Sequence, residues 1–286
     1  MVRYSNLISY DIVLSLVVGL FVLLLIWFIM SVRNNNKKNS EHDKKLFKQP
    51  LPDDCPICFL RLPYLGSGSR YYTCCGKVIC CGCVHAPVYD DRGNEIDDQK
   101  CPFCRTPRTS SDKELNEMEK KRMELDDPIA IFNIGVYYRD GVYDFPQNYT
   151  KALELWHRAG ELGHAAAYRN IGFAYEEGRG GVEVDEKKAN HYYRLAAIGG
   201  DVDARFKLGY NEIRAGNIGR ALKHYKITAA GGHFGSLKMI QELYRYGDVT
   251  KEDYTKVLQL YQAYLDEIKS KQRDAAAEED DEDRYY

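Results

Sequence analysis

The sequence predicts a mainly α-helical protein in three parts: a single transmembrane helix, a small cysteine-held module and an α-solenoid of helix pairs. Three observations carry this reading. Ile12 to Met30 is an uncharged run interrupted only by Ser15 and Gly19, eight of the nine cysteines fall into four pairs, and the chain beyond them repeats itself at a spacing of 37 residues. The 286 residues leave room for about two modules plus appendages. A net charge of -2 argues against a dedicated nucleic-acid binder, which shows a basic domain or stripe.

As a helix, the run from Ile12 to Met30 spans roughly 28 Å, which matches a bilayer core. A cleaved signal peptide is the alternative, but its apolar core is usually only about 7–15 residues long and ends at a small-residue site, which is absent here. Tyr10 and Trp27 lie near the ends, where amphipathic rings prefer the interface. Residues 12–32 are therefore assigned as the membrane helix, with the lipid bilayer as a partner. Only Arg3 precedes the segment, whereas Arg33, Lys37, Lys38, Lys44, Lys45 and Lys48 follow it. The positive-inside rule places residues 1–11 on the lumenal or extracellular side and everything after the helix in the cytosol. Residues 33–50 read as a flexible basic linker with a reach of roughly 23 Å. The glycosylation sequon at Asn148 then stays unmodified, and Asn148 or Thr150 caps a helix.

The cysteine pairs are Cys55 and Cys58, Cys74 and Cys75, Cys80 and Cys83, and Cys101 and Cys104. Three of them are C-x-x-C turns, which bring two thiolates onto one tetrahedral metal, so four pairs supply two tetrathiolate shells for two zinc ions. A disulfide framework fits poorly, because the cysteines crowd into a small part of a long chain whose other regions have none to staple. A reducing cytosol keeps thiolates free for metal. Cys81 is left over.

The stretch from Cys55-Pro-Ile-Cys58 through Cys74-Cys75 and Cys80-Cys81-Gly-Cys83 to Cys101-Pro-Phe-Cys104-Arg105 resembles the RING finger family, with module bounds of 51–108. The family's interleaved ligation implies Cys55, Cys58, Cys80 and Cys83 on one zinc and Cys74, Cys75, Cys101 and Cys104 on the other. Lys77 occupies the place where the common form has a ligating histidine, so the adjacent Cys74 and Cys75 must supply two ligands, with Gly76 relieving the bend. The resemblance implies a ubiquitin-protein ligase without a covalent intermediate. Ile57, Pro102 and Arg105 match the positions that touch the conjugating enzyme and, for Arg105, ubiquitin. The family's frequent Trp before the seventh ligand is absent, and an acidic insertion from Tyr89 to Asp98 takes that region.

In the repeats, Ala130, Ala167 and Ala204 share a register, as do Gly135, Gly172 and Gly209, while Trp156 matches Tyr193. Apolar positions fall at helical intervals in two blocks per unit, which predicts two helices each. The residues over 127–232 resemble three Sel1-like repeats, relatives of the tetratricopeptide class, which bind other proteins on their concave face. Small residues let helices approach, and aromatics are expected to fill the gaps between successive pairs. Residues 109–126 read as a connector helix with Ser111 and Glu114 as a capping box. Residues 233–273 read as a degenerate fourth helix pair or cap, and 274–286 as an acidic tail. His157, His164, His191, His224 and His233 lack metal-ligand spacing and read as packing or solvent groups.

The expected whole is a membrane-anchored RING-type ubiquitin ligase whose repeats recruit a substrate or adaptor. The alternative is a non-catalytic zinc-binding scaffold at a membrane.

Overall fold

The computed structural model describes residues 27, 30–31, 40–64, 68–86, 100–109 and 111–279. The chain divides into two compact units, Met1–Lys48 and Gln49–Tyr286. The expected membrane helix at 12–32 lies outside the described residues, apart from Trp27, Met30 and Ser31, which are helical. Among the described residues no helix is long and apolar enough to cross a membrane. The insertion from Tyr89 to Asp98 also falls outside them. Within the first unit, residues 40–46 form a short helix, α1, in what charge alone marked as flexible linker. The correction has a simple origin: Glu41 and Asp43 precede Lys44 and Lys45, the order that favours a helix dipole.

The second unit opens with the cysteine module. Strands β1 (Ser69–Tyr72) and β2 (Lys77–Cys80) pair antiparallel, with Tyr72 opposite Lys77, and helix α2 (Cys81–His85) follows directly. Gly76 makes the turn at a φ of +67, where a side chain is strained. Helix α3 (Asp112–Glu124) is the expected connector, and the Ser111 hydroxyl accepts from the Glu114 N–H.

Four helix pairs follow: α4 (Pro128–Asp140) with α5 (Tyr149–Glu161), α6 (Ala165–Glu177) with α7 (Glu186–Ile198), α8 (Val202–Arg214) with α9 (Ile218–Ala230), and α10 (Phe234–Arg245) with α11 (Lys251–Ile268). Starts are set by side-chain caps: Asp127 on α4, Asn148 on α5, Asp185 on α7 and Asp201 on α8 each accept from a first-turn N–H. Asn148 thus takes the capping role that its sequence context suggested.

The repeated glycine explains the tight pairing. A Cβ on Gly135 would come within 2.6 Å of the Trp156 indole nitrogen, and one on Gly172 or Gly209 within 2.8 Å of the Tyr193 or Tyr225 ring. Each aromatic therefore packs over the glycine of its own pair, and the core around Trp156 also takes in Ala167 and Ile171 of the next pair. Trp156 is 1% exposed and anchors a core with Ile131, Ile134, Ala152 and Ile171. Aromatics of this size dominate a core's energetics, so the small partner is a condition for burying the large one.

The last helix differs from expectation. Helix α12 (Lys271–Glu279) covers the end of the supposed cap and the start of the supposed acidic tail, with Ala276 and Ala277 buried. Three consecutive alanines give a strong helix former with a smooth face, and that face packs on α2 beside Cys81, Tyr264 and Ile268.

Candidate metal centres

Two local loops present sulfur in the same way. In Cys55-Pro-Ile-Cys58, the Phe59 N–H donates to the Cys55 carbonyl at 2.9 Å and the Cys55 N–H to the Leu60 carbonyl at 2.9 Å. In Cys101-Pro-Phe-Cys104, the Arg105 N–H donates to the Cys101 carbonyl at 2.9 Å and the Cys101 N–H to the Thr106 carbonyl at 2.8 Å. Phe59 and Arg105 both sit at left-handed φ values, 58° and 62°. These turns aim backbone N–H groups and two thiols toward one point, the usual requirement of a sulfur-bound metal.

The structure gathers Cys55, Cys58, Cys80 and Cys83 into one set and Cys74, Cys75, Cys101 and Cys104 into another, every sulfur within 4.8 Å of the others in its set. The adjacent Cys74 and Cys75 both face the second set. Sulfurs placed about 2.3 Å from a tetrahedral zinc lie about 3.8 Å from each other. Cys58 to Cys80 is 3.7 Å, Cys75 to Cys101 3.8 Å and Cys74 to Cys104 3.3 Å, and all nine cysteines are free thiols. The donor set fits the ion. Hydrogen bonding to Cys80 lowers Cys55 to about 4, while burial and the neighbouring Cys55 charge push Cys83 up to about 12. Burial raises Cys75 to about 11 and raises Cys74 as well. Neighbouring thiolates repel at this spacing, and a divalent cation is what lets all four ionise together.

The module is docked along one edge of the repeats. The Tyr71 hydroxyl donates to Asp127 Oδ2 at 2.9 Å while the other oxygen of that carboxylate caps α4, so one aspartate serves both elements. Arg122 of α3 donates to the Thr73 carbonyl at 3.0 Å. Farther along, Tyr64 donates to Asp203, its N–H donates to the Tyr264 hydroxyl at 2.8 Å, and Arg61 pairs with Glu267 at 2.6 Å above the Tyr264 ring. Sequence gave no sign of these contacts. Cys81, which no metal set includes, is fully buried against α11 and α12.

Of the residues matched to conjugating-enzyme contacts, Ile57 and Pro102 are half-buried in the two turns and Arg105 is exposed. Among the described residues no histidine joins a metal cluster. His164 packs on Phe132, His157 and His191 on Tyr192, and His233 on Phe206. His224 is buried in the third pair.

The opposite ends of the same helices carry clefts. One of about 500 Å³ is lined by Arg139, Gln147, Tyr149, Asn170 and Arg179, and a second of about 320 Å³ by Glu176, Glu186, Asn190, Asn211 and Arg214. They occupy the same place in successive repeats, with charge exchanged: Glu176 stands where Arg139 does, and Glu186 where Tyr149 does. Asp127 and Arg139 are about 18 Å apart along α4 at 1.5 Å per residue, so the Tyr71 contact and the first cleft lie at opposite ends of that helix.

Residues 128–164, 165–201 and 202–233 match the Sel1 repeat family model. The array is a mainly helical solenoid of Sel1-like repeats, a protein-interaction architecture. Among solved structures, a Sel1 repeat protein from Oxalobacter formigenes is 27% identical, with 58% of this chain and 64% of that one covered and a TM-score of 0.45. A protective antigen of uropathogenic Escherichia coli displaying an SLR fold is 21% identical over 60% and 45% of the chains, with a TM-score of 0.32. An immunity protein from Pseudomonas aeruginosa is 20% identical over 61% and 64%, with a TM-score of 0.39. The chain thus spans less than two thirds of each of these structures. No curated protein matches.

Proposed function

We propose that the protein is a membrane-anchored, RING-type ubiquitin ligase in which the Sel1-like array recruits a substrate or adaptor. The observation that supports this most is the interleaved gathering of eight cysteines into two four-sulfur sets, joined to a protein-interaction array in one compact unit. Zinc, when bound, supplies cross-links between loops distant in sequence. Ile57 and Pro102, in the two sulfur turns, then offer apolar surface to a ubiquitin-charged conjugating enzyme. Arg105 offers a guanidinium with several donors to bridge that enzyme and ubiquitin. The contribution to rate is orientation of the thioester, with no acid-base group required of this chain. Tethering at a bilayer raises the ligase concentration around membrane-bound clients.

The test uses the full chain in detergent with a panel of ubiquitin-charged conjugating enzymes. Ubiquitin transfer is expected with at least one of them, lost in Ile57→Ala and Arg105→Ala while both variants keep two zinc ions per chain. A chain that holds zinc but transfers ubiquitin with none of the panel leaves the alternative, a zinc-stabilised scaffold. The same preparation tests topology: unmodified Asn148 is expected, and a sugar on it would put the repeats on the wrong side of the membrane.

A further inference from the structure

Arg273, at the start of α12, is 1% exposed. It donates to the Arg61 carbonyl at 2.8 Å, the Ile268 carbonyl at 2.7 Å and the Leu60 carbonyl at 3.4 Å, and its second terminal nitrogen lies 3.9 Å from the Cys58 sulfur. Cys80 is also beside it. Among the described residues no carboxylate pairs with this guanidinium. A buried cation held only by neutral carbonyls is costly, and one without a counter-ion is rarely kept. The charge it faces is that of the first four-sulfur set, which with a divalent ion carries about −2 once the thiols have ionised. In the second set Cys104 is exposed and hydrogen-bonds Thr106, so its sulfur is open to solvent.

We propose that Arg273 is the counter-charge of the Cys55/Cys58/Cys80/Cys83 site, supplied from the far end of the chain, and that through it metal occupancy is coupled to docking of α12. This rests on the zinc reading above. The coupling is reciprocal. The arginine stabilises the charged site, and the charged site holds the arginine and hence the helix. Gly82 makes the approach possible, since a Cβ there would come within 2.8 Å of the Arg273 backbone nitrogen. Arg273 is thus a positioning and charge-balancing residue with no contact to any reacting group.

The experiment measures zinc release from the full chain to a chromogenic chelator, with amide exchange of residues 271–279 followed in parallel. In Arg273→Gln one of the two ions is expected to leave about 10–100-fold faster, the range typical of lost outer-shell partners, while the other keeps its wild-type rate. Arg273→Lys, which retains charge but not the fork of donors, is expected to fall between. In the wild type, needing no variant to fold, removal of the first ion should deprotect α12. Equal release of both ions from Arg273→Gln at the wild-type rate, or α12 amides indifferent to metal, overturns the inference. Protein that purifies without zinc defeats the metal reading itself, which is a different result.

Discussion

The cysteine module and the repeat array solve the same problem of closing a small core by different means. The module has two short strands, one helix of five residues and a core made largely of its own cysteines around Ile79 and Val84. The array uses one device several times, a glycine on one helix under an aromatic on its partner. With zinc bound as proposed, sulfur and metal would cross-link a region too small to bury much apolar surface, whereas periodic packing lets each helix pair lean on the next. The two regions should therefore fail under different insults.

The largest separation is expected from a strong chelator. Amide protection over residues 55–83 and 271–279 should collapse, while helices α4 to α9 stay protected. Loss of protection along the array at the same chelator concentration would mean that the two regions are one cooperative block. Acid should act in the other direction on metal-free protein. Burial, helped by the nearby Arg169 charge, holds His164 down at about 4, and burial with Arg205 holds His224 at about 3. A base whose folded pKa is depressed leaves stability intact above its unfolded value near 6.5 and removes it as pH falls toward the folded value. His164 alone should cost the array on the order of 3 kcal/mol between about pH 6.5 and 4, read as a falling unfolding midpoint in urea, and His164→Asn should flatten that slope.

A smaller effect is expected at Gly172→Ala, whose Cβ would lie 2.8 Å from the Tyr193 ring. Overpacking of this kind costs about 1–3 kcal/mol, against which the better helix propensity of alanine offsets about 1 kcal/mol. A stabilised variant in thermal melts would show that the pair can relax apart. The smallest effect is Arg105→Gly, which relieves a positive φ and should change stability by under about 1 kcal/mol with both ions retained.

What the sequence made legible follows the same division. The 37-residue register picked out Gly135, Gly172 and Gly209 and matched Trp156 to Tyr193, because a repeated contact leaves a repeated residue; it did not show which glycine each aromatic covers. The two four-sulfur sets were legible as a family pattern, and the turns that build them are local enough to be read from spacing. The docking was not legible. Tyr64 to Asp203 and Arg273 to Arg61 join residues 139 and 212 apart in sequence, once each, and a solitary contact leaves no period. The acidic character of the last residues also hid α12. Charge there marks the outer face of a helix, and the buried face is made by Ala276, Ala277 and Arg273.

Helix α12 has a consequence for synthesis. Cys81 and Gly82 leave the ribosome roughly 190 residues before the helix that covers them, about 10–40 s earlier at 5–20 residues per second. During that interval the Cys81 thiol lacks the helix that buries it. A chain cut short by premature termination before residue 271 never covers that face.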